Sequence, residues 1–166
     1  ITGQNGFIGQ YLYNSIKIKE ETFKLIDFKK EYFQNKKKLD GFVLKCDVIV
    51  HLAGKNRHSD DKVIYNTNIQ LVDNLVASLK RTNSQAHVIM SSSSQEEKDN
   101  IYGKSKKEGR KLLLKWEKNS AGSFTGLIIP NVYGPFGKPN YNSVIATFCH
   151  KLVNDEKPEI NIDRTL

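Results

Sequence analysis

Tyr102 and Lys106 stand four positions apart in Tyr102-Gly103-Lys104-Ser105-Lys106, and on a helix that spacing puts both side chains on one face, a turn apart. An ammonium held near a phenol favours the ionised form, which predicts a proton donor that works near neutral pH. Taken alone, the pair would equally suit a tyrosine packed over a lysine stem. Its company decides for chemistry. A hydroxyl run, Ser91 to Ser94, lies upstream, and the chain opens on Thr2-Gly3-Gln4-Asn5-Gly6-Phe7-Ile8-Gly9. Glycines three apart at a strand-to-helix turn let the backbone approach a pyrophosphate and let a helix N-terminus bind it. His51 reads as a packed residue at a strand end. His58, His87 and His150 lack metal-ligand spacing, so no metal is expected.

Elements must hold these groups in place. Phe7 to Ile18 reads as a helix and Phe23 to Phe28 as a short second strand, followed by a lysine-rich helix or loop. Asp47-Val48-Ile49-Val50-His51-Leu52 has the continuous apolar character of a buried parallel strand, closed by Ala53-Gly54. Ile64, Leu71, Val72, Leu75, Val76 and Leu79 recur at helical spacing. His87 to Met90 is a strand ending in the serines. A helix from Tyr102 to about Glu117 carries Leu112, Leu113 and Trp116, and Phe124 to Ile129 is a strand before Pro130. Strands alternating with helices predict an α/β fold with a doubly wound parallel sheet, Rossmann-like in its glycine turn. The strand that should feed that turn is almost wholly absent before Ile1, and Arg164-Thr165-Leu166 carries no stop signal. The 166 residues therefore read as a fragment.

The formal charge is +8. Lys36, Lys37, Lys38, Lys104, Lys106, Lys107, Arg110 and Lys111 are spread over helix faces without interleaved aromatics, so nucleic acid is not the expected partner. A basic surface also suits anionic dinucleotides and sugar nucleotides. Two cysteines, Cys46 and Cys149, are too few for a disulfide framework and fit a reducing cytoplasm. No apolar stretch approaches the roughly 18 residues of a membrane span.

Thr-Gly-x-x-Gly-Phe-x-Gly, a His-Leu-Ala-Gly strand end, a serine-bearing strand and Tyr-x-x-x-Lys, in that order, resemble the extended short-chain dehydrogenase/reductases. Asn56-Arg57, Asp99-Asn100 and above all Lys138 to Phe148 are similar to the reductase part of bacterial capsule enzymes. Those enzymes reduce the C4 ketone of a UDP-4-keto-deoxyhexosamine on the way to UDP-N-acetyl-L-fucosamine, and they fuse this part to a cupin domain that epimerises C3. No cupin sequence is present in these residues. The resemblance implies a dinucleotide-binding domain over residues 1–135 and the start of a smaller substrate-binding region over 136–166. It implies that Tyr102 donates a proton to the keto oxygen, that Lys106 lowers its pKa and holds the nicotinamide ribose, and that Ser93, with Ser92 as second choice, hydrogen-bonds the same oxygen. Asn68 matches a helix asparagine that supports a proton relay; as a bare residue it reads equally as a solvated helix position. Gly3, Asn5, Gly6, Phe7, Ile8, Gly9, Leu52, Ala53, Gly54, Lys106 and Pro130 would line the dinucleotide, and Ser93, Asn131, Asn140 and Asn142 the sugar nucleotide.

Dehydratases of the family follow their catalytic threonine with Asp-Glu; here Ser94-Gln95 follows Ser93, which argues for reduction or epimerisation. Ile128 stands where the family usually has arginine. At the end of the second strand an acidic residue takes the ribose of NAD and a basic one the phosphate of NADP. Asp27 falls a little early and Lys29 lands where the capsule reductases are basic, so NADPH is the expected cofactor, with NADH possible. The expectation is a cytoplasmic UDP-sugar ketoreductase, homodimeric at full length and independent of membranes. An NAD-dependent epimerase that retains its cofactor and a non-catalytic dinucleotide sensor are the alternatives. Asn140 to Ser143 is expected to face the sugar nucleotide, or else Asn142 caps a helix from Ser143 to Leu152. By themselves these residues are expected to bind cofactor and not to turn over sugar.

Overall fold

The computed structural model describes residues 1–19 and 21–159. They fall into two compact units, the first Ile1–Ile129 and the second from Pro130 onward. The first contains α1 (Phe7–Lys17), α2 (Lys36–Val43), β1 (Val48–His51), α3 (Asp61–Arg81), β2 (His87–Ser93), α4 (Ile101–Glu117) and β3 (Ser123–Ile129), with 3-10 turns at Lys30–Gln34 and Ser94–Glu97. The strands pair in parallel in the order β1-β2-β3, with Val48 opposite His87 and His87 opposite Ser123. Crossover helices make this possible, because parallel neighbours cannot be joined by a tight turn. This is the expected α/β arrangement.

Helix α3 turns Val72, Leu75 and Leu79 toward the sheet, and α4 adds Leu113 and Trp116; together with Ile49, Val88 and Met90 they make one core. The polar residues between them stay outside, as an amphipathic stripe requires. Ser78 and Arg81 of α3 both donate to Asp40 of α2, at 2.6 Å from Ser78 Oγ and 2.7 Å from an Arg81 guanidinium nitrogen.

The expected second strand is not formed. Phe23 to Lys29 is irregular, and Phe28 is buried by ring contacts with Phe33 and Phe42 at 5.0 and 4.9 Å. A strand needs a ladder partner. Among the described residues none pairs along this segment: Thr2, beside the glycine turn, gives its backbone to β1, with its N–H on Val50 O at 2.9 Å and its carbonyl taking Leu52 N–H at 3.0 Å. Burial of aromatic rings holds the segment instead.

In the second unit α5 (Val144–Val153) is capped by Ser143, whose Oγ accepts the Ala146 N–H at 3.2 Å. The cap expected at Asn142 is thus one residue later. Residues 160–166 of the expected substrate region lie outside the described residues. Among the described residues, no helix is long and apolar enough to cross a membrane.

Candidate active site

The carboxyl ends of the strands carry the chemistry-bearing motifs. Gly3 has φ +75°, and a Cβ there would lie 2.6 Å from Ala53 N, so the glycine turn rests directly on the Leu52-Ala53 strand end. A Cβ on Gly9 would lie 2.2 Å from Gly3 O, which closes the turn onto the first turn of α1. Side chains are excluded by contact at both positions. Gly6 stands at the N-cap of helix α1 and supplies no side-chain cap, so the first N–H groups of the helix are presented to whatever occupies the turn. Gln4 Oε1 is buried and has no partner among the described residues. A bare glycine cradle and an uncapped helix N-terminus fit a dinucleotide diphosphate.

Lys106 is buried, donates to Ser91 O at 2.9 Å and stands 5.9 Å from the Tyr102 ring centroid. Burial pushes its ammonium down to about 8, while the Glu96 charge acts in the opposite direction. Burial also pushes the Tyr102 phenol above its ordinary value, the reverse of the shift expected from a lysine neighbour. The Lys106 ammonium is directed instead at a backbone carbonyl of β2.

Asn68 is not a solvated residue. It is 5% exposed, accepts the Lys55 N–H at 2.7 Å, donates to Lys55 O at 2.9 Å and donates to Ser105 Oγ at 2.9 Å. Ser105 in turn donates to Tyr102 O at 2.7 Å, so one amide joins the loop after β1 to the tyrosine-bearing turn. A Cβ on Gly54 would lie 3.2 Å from Asn68 Oδ1 and 3.5 Å from Lys106 Nζ, which brings Gly54, Asn68 and Lys106 to one spot.

Strand β2 alternates, so neighbouring serines face opposite ways. Ser93 ends the strand and its Oγ accepts the Gln95 N–H at 3.2 Å, whereas Ser92 donates to Glu96 Oε1. Asn100 caps α4 by accepting the Gly103 N–H at 2.8 Å and donates to Gln95 Oε1 at 2.9 Å. A Cβ on Gly103 would lie 1.9 Å from Gln95 O. These contacts bind the turn after Ser93 to the turn that carries Tyr102.

His51 is 1% exposed, with Nδ1 2.8 Å from Thr2 Oγ1 and its ring edge-on to Phe33. Burial, helped by the Lys106 charge, pushes it down to about 3, so it is neutral and structural, as the sequence suggests. Lys29 and Asp27 are both exposed, Lys29 opening the first 3-10 turn. Pro130, Asn131, Asn140 and Asn142 belong to the second unit, where Asn140 has φ 54° and its N–H donates to Thr147 Oγ1 at 2.9 Å.

A model of the NAD dependent epimerase/dehydratase family matches residues 1–164. The chain belongs to that family. Within this wider group of epimerases and dehydratases, the UDP-2-acetamido-2,6-beta-L-arabino-hexul-4-ose reductase of Pseudomonas aeruginosa is 30% identical over 161 residues, covering 97% of this chain and 42% of the relative. The capsular polysaccharide assembling protein CapF of Staphylococcus aureus is 32% identical, with TM-score 0.72 over 99% of this chain and 42% of its own. The RMD protein of Pseudomonas aeruginosa, solved with NADPH, shares the fold at TM-score 0.79 and 21% identity, over 93% of this chain and 60% of its own. The chain thus spans less than half the length of the first two.

Sequence reasoning missed Gly103 and the Glu96–Arg110 pair. A glycine directly after the tyrosine was a readable signal for close approach. Nothing in the spacing of Glu96 and Arg110 announces their contact, since they lie on different elements.

Proposed function

We propose that the full-length protein reduces the C4 ketone of a UDP-4-keto-6-deoxy-N-acetylhexosamine, with NADPH as reductant, in the supply of precursors for a surface polysaccharide. The observation that carries the proposal is the convergence of Lys106, Asn68 and Gly54 beside Tyr102, with Ser93 tied to the same turn. The similarity to a UDP-sugar 4-ketoreductase and to a capsule protein supports the substrate class. Reduction is preferred over dehydration because Ser94-Gln95 follows Ser93 where dehydratases carry two acids.

The glycine turn and α1 would hold the diphosphate, Leu52 to Gly54 the strand-end side, and Lys106 the nicotinamide ribose; Lys29 would take the 2′-phosphate. A nicotinamide held there would supply a hydride to the carbonyl carbon. Tyr102 delivers its phenolic proton to the carbonyl oxygen as that oxygen gains the electron pair of the broken π-bond, and Ser93 donates a hydrogen bond to it. Lys106, charged below about 8, stabilises the tyrosinate left behind. Asn68 holds the loop and helix that align these groups. Asn131, Asn140 and Asn142 would offer amides to the sugar nucleotide, and a homodimer is the expected full-length form.

The test is NADPH oxidation followed at its absorbance band with a panel of UDP-4-keto sugars, NADH run in parallel. Tyr102→Phe should lower kcat by about a hundredfold or more while NADPH affinity is kept. Undiminished turnover in that variant would remove Tyr102 from its role.

A further inference from the structure

Glu96 lies outside the group just assigned, yet its side chain is 4% exposed and fully engaged. Arg110 of α4 grips both carboxylate oxygens, with Nε at 3.0 and 3.1 Å and a terminal nitrogen at 2.7 Å, while Ser92 Oγ donates to Oε1. The Arg110 stem runs over β3 where Gly126 leaves room, since a Cβ there would lie 2.7 Å from Arg110 Cδ. Four elements therefore meet at one carboxylate: β2 through Ser92, the Ser94–Glu97 turn through Glu96 itself, α4 through Arg110, and β3 through its glycine. That turn is the only stretch, apart from Lys98 to Asn100, between Ser93 and α4.

Resting on the reductase reading of this site, we infer that Glu96 is a positioning residue which, clamped by Arg110 and Ser92, fixes Ser93 against the Tyr102 turn. An exposed ion pair would be a poor candidate, because solvent screens it. A bidentate one whose carboxylate is nearly buried resists motion, because releasing Arg110 strands a desolvated negative charge. Glu96 has a second effect, on charge. The titratable and charged groups around Lys106 are Tyr102 on its own helix, His51 on β1, which is neutral, Glu96, whose charge acts on it, and Arg110, one turn along α4 and paired with Glu96. Of these Glu96 alone carries negative charge at neutral pH, and so keeps the ammonium protonated against burial.

The test uses the full-length protein and a Ser92→Ala/Glu96→Leu/Arg110→Met variant, in which apolar groups of similar size replace the clamp so that folding is retained. Glu96→Gln is made beside it. Expected for both are an NADPH affinity within about twofold of the parent and a kcat at least about tenfold lower with an unchanged KM; in Glu96→Gln, where the Arg110 charge is left unopposed, the alkaline limb of kcat also moves to lower pH. Acetic anhydride labelling of Lys106, read by mass spectrometry across pH, should titrate lower in Glu96→Gln. A folded triple variant with the parent's kcat overturns the inference, as does a Glu96→Gln variant with the parent's kcat and the parent's Lys106 titration. If the parent reduces no UDP-4-keto sugar while the Lys106 titration still moves, the reductase reading falls and the clamp stands.

Discussion

Lys106 carries its charge where burial opposes charge. Its ammonium is pushed from 10.5 to about 8, which amounts to roughly 3 kcal/mol of native-state cost at neutral pH. Below about 8 both folded and unfolded lysines are protonated and the cost is fully present; as pH rises from there toward 10.5 only the folded form loses its proton, and stability climbs. Lys106→Met, which removes the charge and strands Ser91 O, should therefore raise the unfolding free energy by about 2 kcal/mol at pH 7 while abolishing reduction. Urea unfolding and turnover of the same preparation check both halves. A variant that is both less stable and inactive would show the lysine to be structural. Asn68 lies at the other extreme, with every amide group used, and Asn68→Ala should lower stability and turnover together.

At the scale of elements, the Ser93-to-Tyr102 connection is stiff because it is capped and crowded. Asn100→Ala removes the α4 cap and the Gln95 tie, and should cost about 1 kcal/mol in chemical denaturation. Gly103→Ala should be far worse: the Gln95 carbonyl cannot yield to a Cβ 1.9 Å away without moving the turn or the helix. Thermal melting and kcat measured on this variant should both drop, and an unaffected enzyme would mean the turn shifts freely. In the second unit, Ser143→Ala is expected to destabilise α5 by about 1 kcal/mol where Asn142→Ala does not, which circular dichroism during melting can separate. These elements also show what a sequence discloses. The helical stripe of α3, the buried run of β1 and the tyrosine–lysine spacing are local patterns, so they were legible. Phe23 to Phe28 had strand composition too, but pairing is a property of two segments, and among the described residues no strand pairs with it. Ser143 over Asn142 turned on which hydroxyl or amide reaches a particular N–H. Glu96 and Arg110 find each other only through the fold.

For the whole molecule, acid is the expected weakness. His51 titrates at about 3 in the folded chain against 6.5 when free, so the unfolded state binds the extra proton throughout that window and stability falls as pH drops. For Glu96, burial pushes the carboxyl up but bonds from Arg110 and Ser92 outweigh it, leaving it below its ordinary value; that contribution is present above 4.5 and lost as pH falls further. Both effects have one sign. Urea midpoints should reveal a loss of about 2 kcal/mol between pH 7.5 and pH 5, nearly all from His51, and His51→Gln should flatten that slope. An unchanged slope in the variant would place the titration elsewhere.

Four identical residues, Ser91 to Ser94, hold four addresses that cannot be exchanged: a carbonyl for Lys106, a hydroxyl for Glu96, the strand-end hydroxyl, and the first residue of a 3-10 turn. Loss of one serine here would leave a sequence that looks almost unchanged. The fold would register it at once. Either β2 slips by one and turns Val88 and Met90 out of the core, or the turn shortens and Glu96 leaves Arg110. Substitution should be tolerated unevenly across this run, and deletion not at all.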